Sequence, residues 1–184
     1  MVNSLRLSIA STNKDIVMKH LIITVIGRDQ AGLVETLSDT IYQNNGNWLS
    51  SSLSKLAGQF AGILQVEVAD QHIAALSKAL SEIEALQVQI VEDESKTSPT
   101  TTLFNLLVTG NDRVGIVKDV TTKLKQLGVN INKLKTDSDS APNWGYPIFT
   151  ADFQLELPDG LSIEHVQEAL ESIADDLTID IDNN

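Results

Sequence analysis

A ten-residue stretch occurs twice in this chain, and the repetition limits the folds open to it. Val25-Ile26-Gly27-Arg28-Asp29-Gln30-Ala31-Gly32-Leu33-Val34 is answered by Val108-Thr109-Gly110-Asn111-Asp112-Arg113-Val114-Gly115-Ile116-Val117. Gly27 matches Gly110, Asp29 matches Asp112 and Gly32 matches Gly115, all at an offset of 83 positions. Asn47 and Asn130 keep the same offset, so the repeat has no gap across that span. An apolar run enters each copy, and an amphipathic helical pattern leaves it. The first glycine therefore ends a strand, and the second opens a helix. Free N–H groups at such a helix start, with the positive end of the dipole, can hold a carboxylate or a phosphate. A tight strand-to-helix turn that needs glycine only for its backbone freedom explains the same residues. Both readings stand at this point.

The repeat argues for two domains of roughly 80 residues each, near the lower limit for a self-sufficient core. At 42% hydrophobic and 21% charged residues the composition suits a globular protein. The formal net charge is −12, spread over both halves. Residues 19–93 hold four Lys/Arg against nine Asp/Glu, and residues 101–184 hold six against fourteen. Phosphate neutralisation supplies much of the affinity for nucleic acid, so direct DNA or RNA binding is not expected of such a chain. The absence of cysteine excludes disulfides and thiolate chemistry. No apolar run approaches the roughly 18–20 residues that span a bilayer, and no membrane association is expected. Residues 1–17 lack the continuous apolar core and cleavage site of a signal peptide and read as a loose extension. Met18 stands directly before the first strand and is a candidate start. The expected location is the cytoplasm.

Residues 20–26 read as a strand with Leu21, Ile23 and Val25 on one face. Ile22 and Ile26 make the other face largely apolar too, as in a central strand covered on both sides. A helix follows over 33–45, with Leu33, Leu37 and Ile41 at four-residue spacing and a stop at Asn44-Asn45-Gly46. Residues 47–56 read as a strand, Gly58 as a turn, and 60–68 as a strand of period two. Gly62 inside that strand signals a bulge or a close backbone approach. A second helix over 71–84 carries Ile73, Leu76, Leu80 and Ile83, and Leu86, Val88 and Ile90 form a last strand. The order is βαββαβ, the ferredoxin-like unit: a four-stranded antiparallel sheet with two helices on one face. The expected fold is α+β with two such units in tandem.

The division predicted is an extension over 1–17, a first unit over 18–93, a linker over 94–100 and a second unit over 101–184. In the second unit the helix stripe is Ile116, Val120, Leu124 and Leu127, stopped by Gly128. Residues 130–136 follow as a strand. Residues 137–147 read as a loop longer than its counterpart, and Ser162 as a helix cap. Ile22, Ile26 and Ile63 would lie on the sheet face opposite the helices. That face calls for a cover, either the other unit or another chain.

A βαββαβ unit with a Gly-x-Asp-x-x-Gly-(Leu/Ile)-Val turn resembles the ACT domain, a regulatory module that senses amino acids. Two in tandem, with no enzyme attached, resemble the glycine cleavage system transcriptional repressor family. The stretches that carry the likeness are Ile23-Thr24-Val25-Ile26-Gly27-Arg28-Asp29, Gly46-Asn47-Trp48-Leu49 and Leu56-Ala57-Gly58-Gln59-Phe60-Ala61-Gly62. The resemblance implies side-by-side pairing of units, with an effector near the strand-to-helix turn. It implies ligand-binding positions at Gly27, Asp29, Gly32 and Leu33, and at Gly110, Asp112, Gly115 and Ile116. Asn47 and Asn130, at the starts of the second strands, would face the same pocket. It also implies action on gene expression through an activator protein, without docking on DNA. Many ACT turns carry proline before the second glycine; here Ala31 and Val114 stand there.

The remaining constellations favour no catalytic site. His20, His72 and His165 are scattered and have no cysteine or paired histidine beside them, so no metal site is expected. No nucleophile–base motif or phosphate loop is present, so neither an enzyme nor a cofactor is expected. An RNA-binding sheet needs stacking aromatics, which are 4% here. Asp29 and Asp112 suit turn backbones better than a ligand. Lys118, Lys123, Lys125, Lys133 and Lys135 form a basic run that fits either a solvated face or an acidic partner. Trp144 and Tyr146 are candidate pocket caps or interface anchors, and packing over the unit's own sheet explains them equally well. The expected protein is a cytoplasmic, non-enzymatic homodimer that binds an amino acid, glycine among the candidates, and acts through a transcription activator. The alternative is a sensing subunit that controls an enzyme by direct contact.

Overall fold

The computed structural model describes residues 16–93, 102–140 and 147–182. The chain divides into two compact units, Met1–Lys96 and Thr97–Asn184. In the first, β1 (Met18–Arg28) leads to α1 (Leu33–Gln43). Then come β2 (Gly46–Leu56) and β3 (Gln59–Ala69), a single 3-10 turn (Asp70–His72), α2 (Ile73–Ser81) and β4 (Leu86–Glu92). The sheet is antiparallel in the order β2-β3-β1-β4, so β1 is central. The second unit repeats the plan with β5 (Leu103–Asn111), α3 (Ile116–Gln126), β6 (Asn130–Ser140), β7 (Pro147–Glu156), α4 (Ile163–Glu171) and β8 (Thr178–Asp182). Its sheet order is β6-β7-β5-β8. Each unit is thus the four-stranded antiparallel sheet with two helices that the sequence order implies.

The periodicities explain the layering. In β1, Leu21, Ile23 and Val25 are buried, while Thr24 and Ile26 alternate out to solvent. The α1 stripe Leu33, Leu37 and Ile41 is buried, and so are Ile116, Val120 and Leu124 of α3. Each unit closes its own core. Leu21, Ile23, Leu37, Leu64, Leu76 and Leu80 anchor the first; Leu106, Val108, Leu124, Leu155, Val166 and Leu170 anchor the second.

Three sequence expectations are refined. The second helix of unit one is shorter than 71–84, because Ile83 N–H bonds the Leu80 carbonyl at 3.3 Å and tightens the end. Gly62 marks a close approach and not a bulge: a Cβ there would stand 2.5 Å from the Ser52 carbonyl oxygen. The register shift lies at Trp48/Ser50 instead. Of the expected loop over 137–147, residues 137–140 and Pro147 are strand, and 141–146 lie outside the described residues. Asp137, Ser138, Asp139 and Ser140 pair with Thr150, Phe149, Ile148 and Pro147. Backbone pairing needs no apolar side chain, which is why the polar run hid the strand. Trp144 and Tyr146, and nearly all of the 1–17 extension, lie outside the described residues. Among the described residues no helix is long and apolar enough to cross a membrane.

Candidate functional site

The two glycines of the repeated motif do different jobs. Gly27 sits in β1 between Phe60 and Leu86. A Cβ there would overlap the Ala85 carbonyl oxygen and stand 2.9 Å from Leu86 Cδ2. Gly110 is packed in the same way, with Leu177 Cδ2 at 2.7 Å from its would-be Cβ. These positions let the chain entering β4 or β8 lie directly on the central strand. Gly32 and Gly115 are instead the N-caps of α1 and α3, with φ of +89° and +92°. That left-handed conformation is disfavoured for residues with a Cβ. No neighbouring atom lies within 4 Å of a Cβ built on Gly115, so the space before α3 is open.

A glycine N-cap has no side chain to bond the first amides of its helix, and neither helix start has a side-chain cap. By contrast, Ser162 Oγ accepts from His165 N–H at 3.3 Å at the start of α4. The α1 and α3 starts therefore lack side-chain caps and present a dipole end that favours an anion; at α3 the Ile116 N–H is already taken by the Arg113 carbonyl at 3.2 Å, which leaves the amides that follow it. Leu33 and Ile116 are buried core residues, so at the turn they offer only backbone.

The turn aspartates are held internally. Asp29 N–H donates to the Gly58 carbonyl at 2.9 Å, and its carboxylate pairs with Lys55 on β2. Asp112 N–H donates to the Pro147 carbonyl at 2.9 Å, and Ser138 Oγ donates to Asp112 Oδ2 at 2.7 Å. Lys55 and Ser138 stand at the same offset as the glycines. In both units one aspartate thus ties the turn to the hairpin beside it.

In unit two the turn borders a concavity of about 380 Å³. Asp112, Gly115 and Ile116 line it from the turn, with Arg113 beside them and Thr136, Ser138 and Phe149 from the sheet. Arg113 Nη1 meets Asp119 Oδ2 at 2.7 Å, which holds a cation at the mouth beside the helix start. The arrangement can take a small carboxylate on the α3 amides and Arg113, with a polar head against Asp112 and Ser138. In unit one Gly27 lines a different concavity of about 320 Å³, with Arg28, Gln59, Glu84 and Leu86.

The structure does not bring all the sequence candidates together. Asn47 pairs with Glu67, whereas the turn end of β1 pairs with Gln59. Eight residues of strand separate those positions, about 26 Å. Asn130 likewise lies beside Glu156, its Nδ2 donating to Glu156 Oε2 at 3.3 Å, at the far end of β7 from Phe149. Within one unit the asparagines therefore stand apart from the turns. Arg113, Thr136, Ser138 and Phe149 are the residues that sequence reasoning missed. Arg113 occupies a variable position of the motif, and Ser138 could have been found from its offset to Lys55.

Comparison with known proteins agrees with the fold. Residues 19–92 match one family model described as an ACT domain, and residues 100–178 match another. The UPF0237 protein of Methanocaldococcus jannaschii is 32% identical over 77 residues, spanning 40% of this chain and 86% of that protein. The crystal structure of an unknown protein from Galdieria sulphuraria superposes with a TM-score of 0.80 at 28% identity, covering 90% of this chain and 98% of that one. A crystal structure assigned as a glycine cleavage system transcriptional repressor gives 0.66 at 17% identity, over 91% of this chain and 99% of that one. This last likeness establishes the shared fold. With an ACT-domain match on each side of its linker, the chain belongs to the ACT-domain family and carries two ACT domains in tandem.

Proposed function

We propose that this protein is a non-enzymatic regulator that binds an amino acid at its strand-to-helix turns and passes the signal to a protein partner. The observation that carries the reading is the repeated uncapped helix start behind a left-handed glycine. In unit two it opens on a concavity with a cation at its mouth. The amino-acid carboxylate would lie on the α3 amides and Arg113. The ACT family and the repressor assigned among its structural neighbours support a role in transcription, with glycine and serine as the first ligands to test. The net charge of −12 favours a protein partner, such as a transcription activator, over direct DNA contact. A homodimer in the cytoplasm is the assembly and setting this reading assumes.

A direct control of an enzyme rests on the same site and differs only in the partner captured. Titration calorimetry with the common amino acids tests the ligand. Saturable heat is expected, weakened about tenfold in Arg113→Gln by loss of one charge-assisted contact. Heat absent across the whole series would overturn the sensor reading, and tight binding of specific DNA at physiological salt by the protein alone would overturn the partner-mediated one.

A further inference from the structure

Two opposite charges of the first unit border one hollow without meeting. Arg28 ends β1 on the sheet face of Thr24 and Ile26, away from the helices. Its backbone is pinned, because Arg28 pairs with Gln59 and the next N–H, that of Asp29, donates to the Gly58 carbonyl at 2.9 Å. Glu84 stands in the turn between α2 and β4, which the Leu86 N–H closes on the Ile83 carbonyl at 3.0 Å. The register of β4 sets Leu86 beside Gly27, which brings Glu84 to the same end of the sheet. Both residues line the concavity of about 320 Å³, together with Ile26, Gln59 and Gln87. The neighbouring charges are already matched, Asp29 with Lys55 and Glu82 with Lys78 at 3.9 Å. Among the described residues Arg28 and Glu84 have no ion pair.

Such a lining suits a small zwitterion. A guanidinium takes a carboxylate through two parallel N–H bonds. A glutamate accepts from an ammonium group, and the Gln59 and Gln87 amides, which donate and accept, can complete either set. A second concavity of about 330 Å³ shares Ile26 and Gln87 with the first and is bordered by Thr24 and Gln89. No charged residue lines it. A ligand held at Arg28 and Glu84 would therefore lay an uncharged side chain over Ile26, which is 49% exposed, and cover apolar surface there. Each volume reaches the lower end of small-ligand pockets, about 300 Å³. The second unit is an internal control. It keeps an acid at the matching turn, since Asp175 stands two residues before Leu177 as Glu84 does before Leu86, and the Leu177 N–H closes that turn on the Ala174 carbonyl at 3.2 Å. At the position of Arg28 it has Asn111, whose N–H donates to Asp176 Oδ2 at 3.2 Å. The strand end thus forms without a cation, and folding does not account for Arg28.

We propose that the concavity between Arg28 and Glu84 binds a free α-amino acid with an uncharged side chain. Its carboxylate lies on Arg28, its ammonium group on Glu84, and its side chain over Ile26 toward Thr24 and Gln89. The lining comes from the end of β1, the start of β3 and the turn before β4, and not from the start of α1. The site is therefore separate from the strand-to-helix turns, and the proposal does not rest on their binding a ligand.

Amide chemical shifts of the isotope-labelled full chain, titrated with L-leucine, test the proposal. The amides of Ile26, Gly27, Leu86 and Gln87 should shift together and saturate. Arg28→Gln and Glu84→Gln should each raise the dissociation constant read there at least about tenfold, through loss of one charge-assisted contact. Both side chains are exposed, so the rest of the spectrum should stay as in wild type. Isocaproate, which is leucine without its ammonium group, and isoamylamine, which lacks the carboxylate, should bind at least about tenfold more weakly. Arg113→Gln, at the turn of unit two, should leave these shifts unchanged. Shifts absent from these amides with leucine up to about 10 mM overturn the proposal. So do shifts that survive both substitutions, or that isocaproate reproduces at equal concentration. Shifts confined to the start of α3 and lost in Arg113→Gln would overturn this site and leave the turn reading standing. Shifts at the Arg28 end alone would support this site and count against the turn.

Discussion

At the scale of the residue, glycine is required here for two separate reasons within five positions. Both glycines of the motif were legible from the duplication, but the letter does not say which reason applies. Gly27 is needed because the Ala85 carbonyl occupies the place of a Cβ, a fact set by a residue 58 positions away. Gly115 is needed because its φ is +92°, with nothing near it. The consequences differ in size. Gly27→Ala must push backbone against backbone, and should cost about 2–3 kcal/mol or more. Gly115→Ala meets only the left-handed penalty, about 1–2 kcal/mol. Urea melts of the two variants decide the matter; equal losses, or a larger loss at Gly115, would contradict the assignment. The aspartates show the same limit. Their type marked them as turn residues, but Lys55 and Ser138 are chemically unlike, and that difference concealed the equivalent positions from which they hold Asp29 and Asp112.

At the scale of the element, apolar periodicity exposed the helices and the central strands, because burial dictates their side chains. It missed the end of β6, where Asp137 to Ser140 gain their place from pairing with β7 and not from burial. That extension matters, since it delivers Ser138 to the turn and builds one wall of the concavity. The β6 and β2 ends secure their turns by different physics. Ser138→Ala removes a hydroxyl–carboxylate hydrogen bond at an exposed position and should cost about 0.5–1 kcal/mol, largely independent of salt. Lys55→Ala removes an exposed ion pair and should cost about 0.5 kcal/mol at low salt, fading toward 1 M salt as the charges are screened. Thermal melts of both variants at two salt concentrations separate the two. A Ser138→Ala loss that vanished with salt, or a Lys55→Ala loss that did not, would reverse the roles assigned here.

At the scale of the whole molecule, one offset in the sequence announced two units, and the two cores bear this out by drawing on separate residues. Separate cores have a thermodynamic consequence. A domain of roughly 80 residues holds only a small margin of stability, so losing one large core side chain takes most of it. Leu37 is fully buried in the first core, and Leu37→Ala should cost about 2–5 kcal/mol. Because the second core shares none of its contacts, the loss should stay within unit one. Hydrogen exchange is the direct measurement. In Leu37→Ala the amides of β1, β3 and α1 should lose protection, while those of β5, β7 and α3 exchange as in wild type. Equal loss of protection in both units would mean that they fold as one cooperative body, and the first core could then no longer be treated as energetically its own.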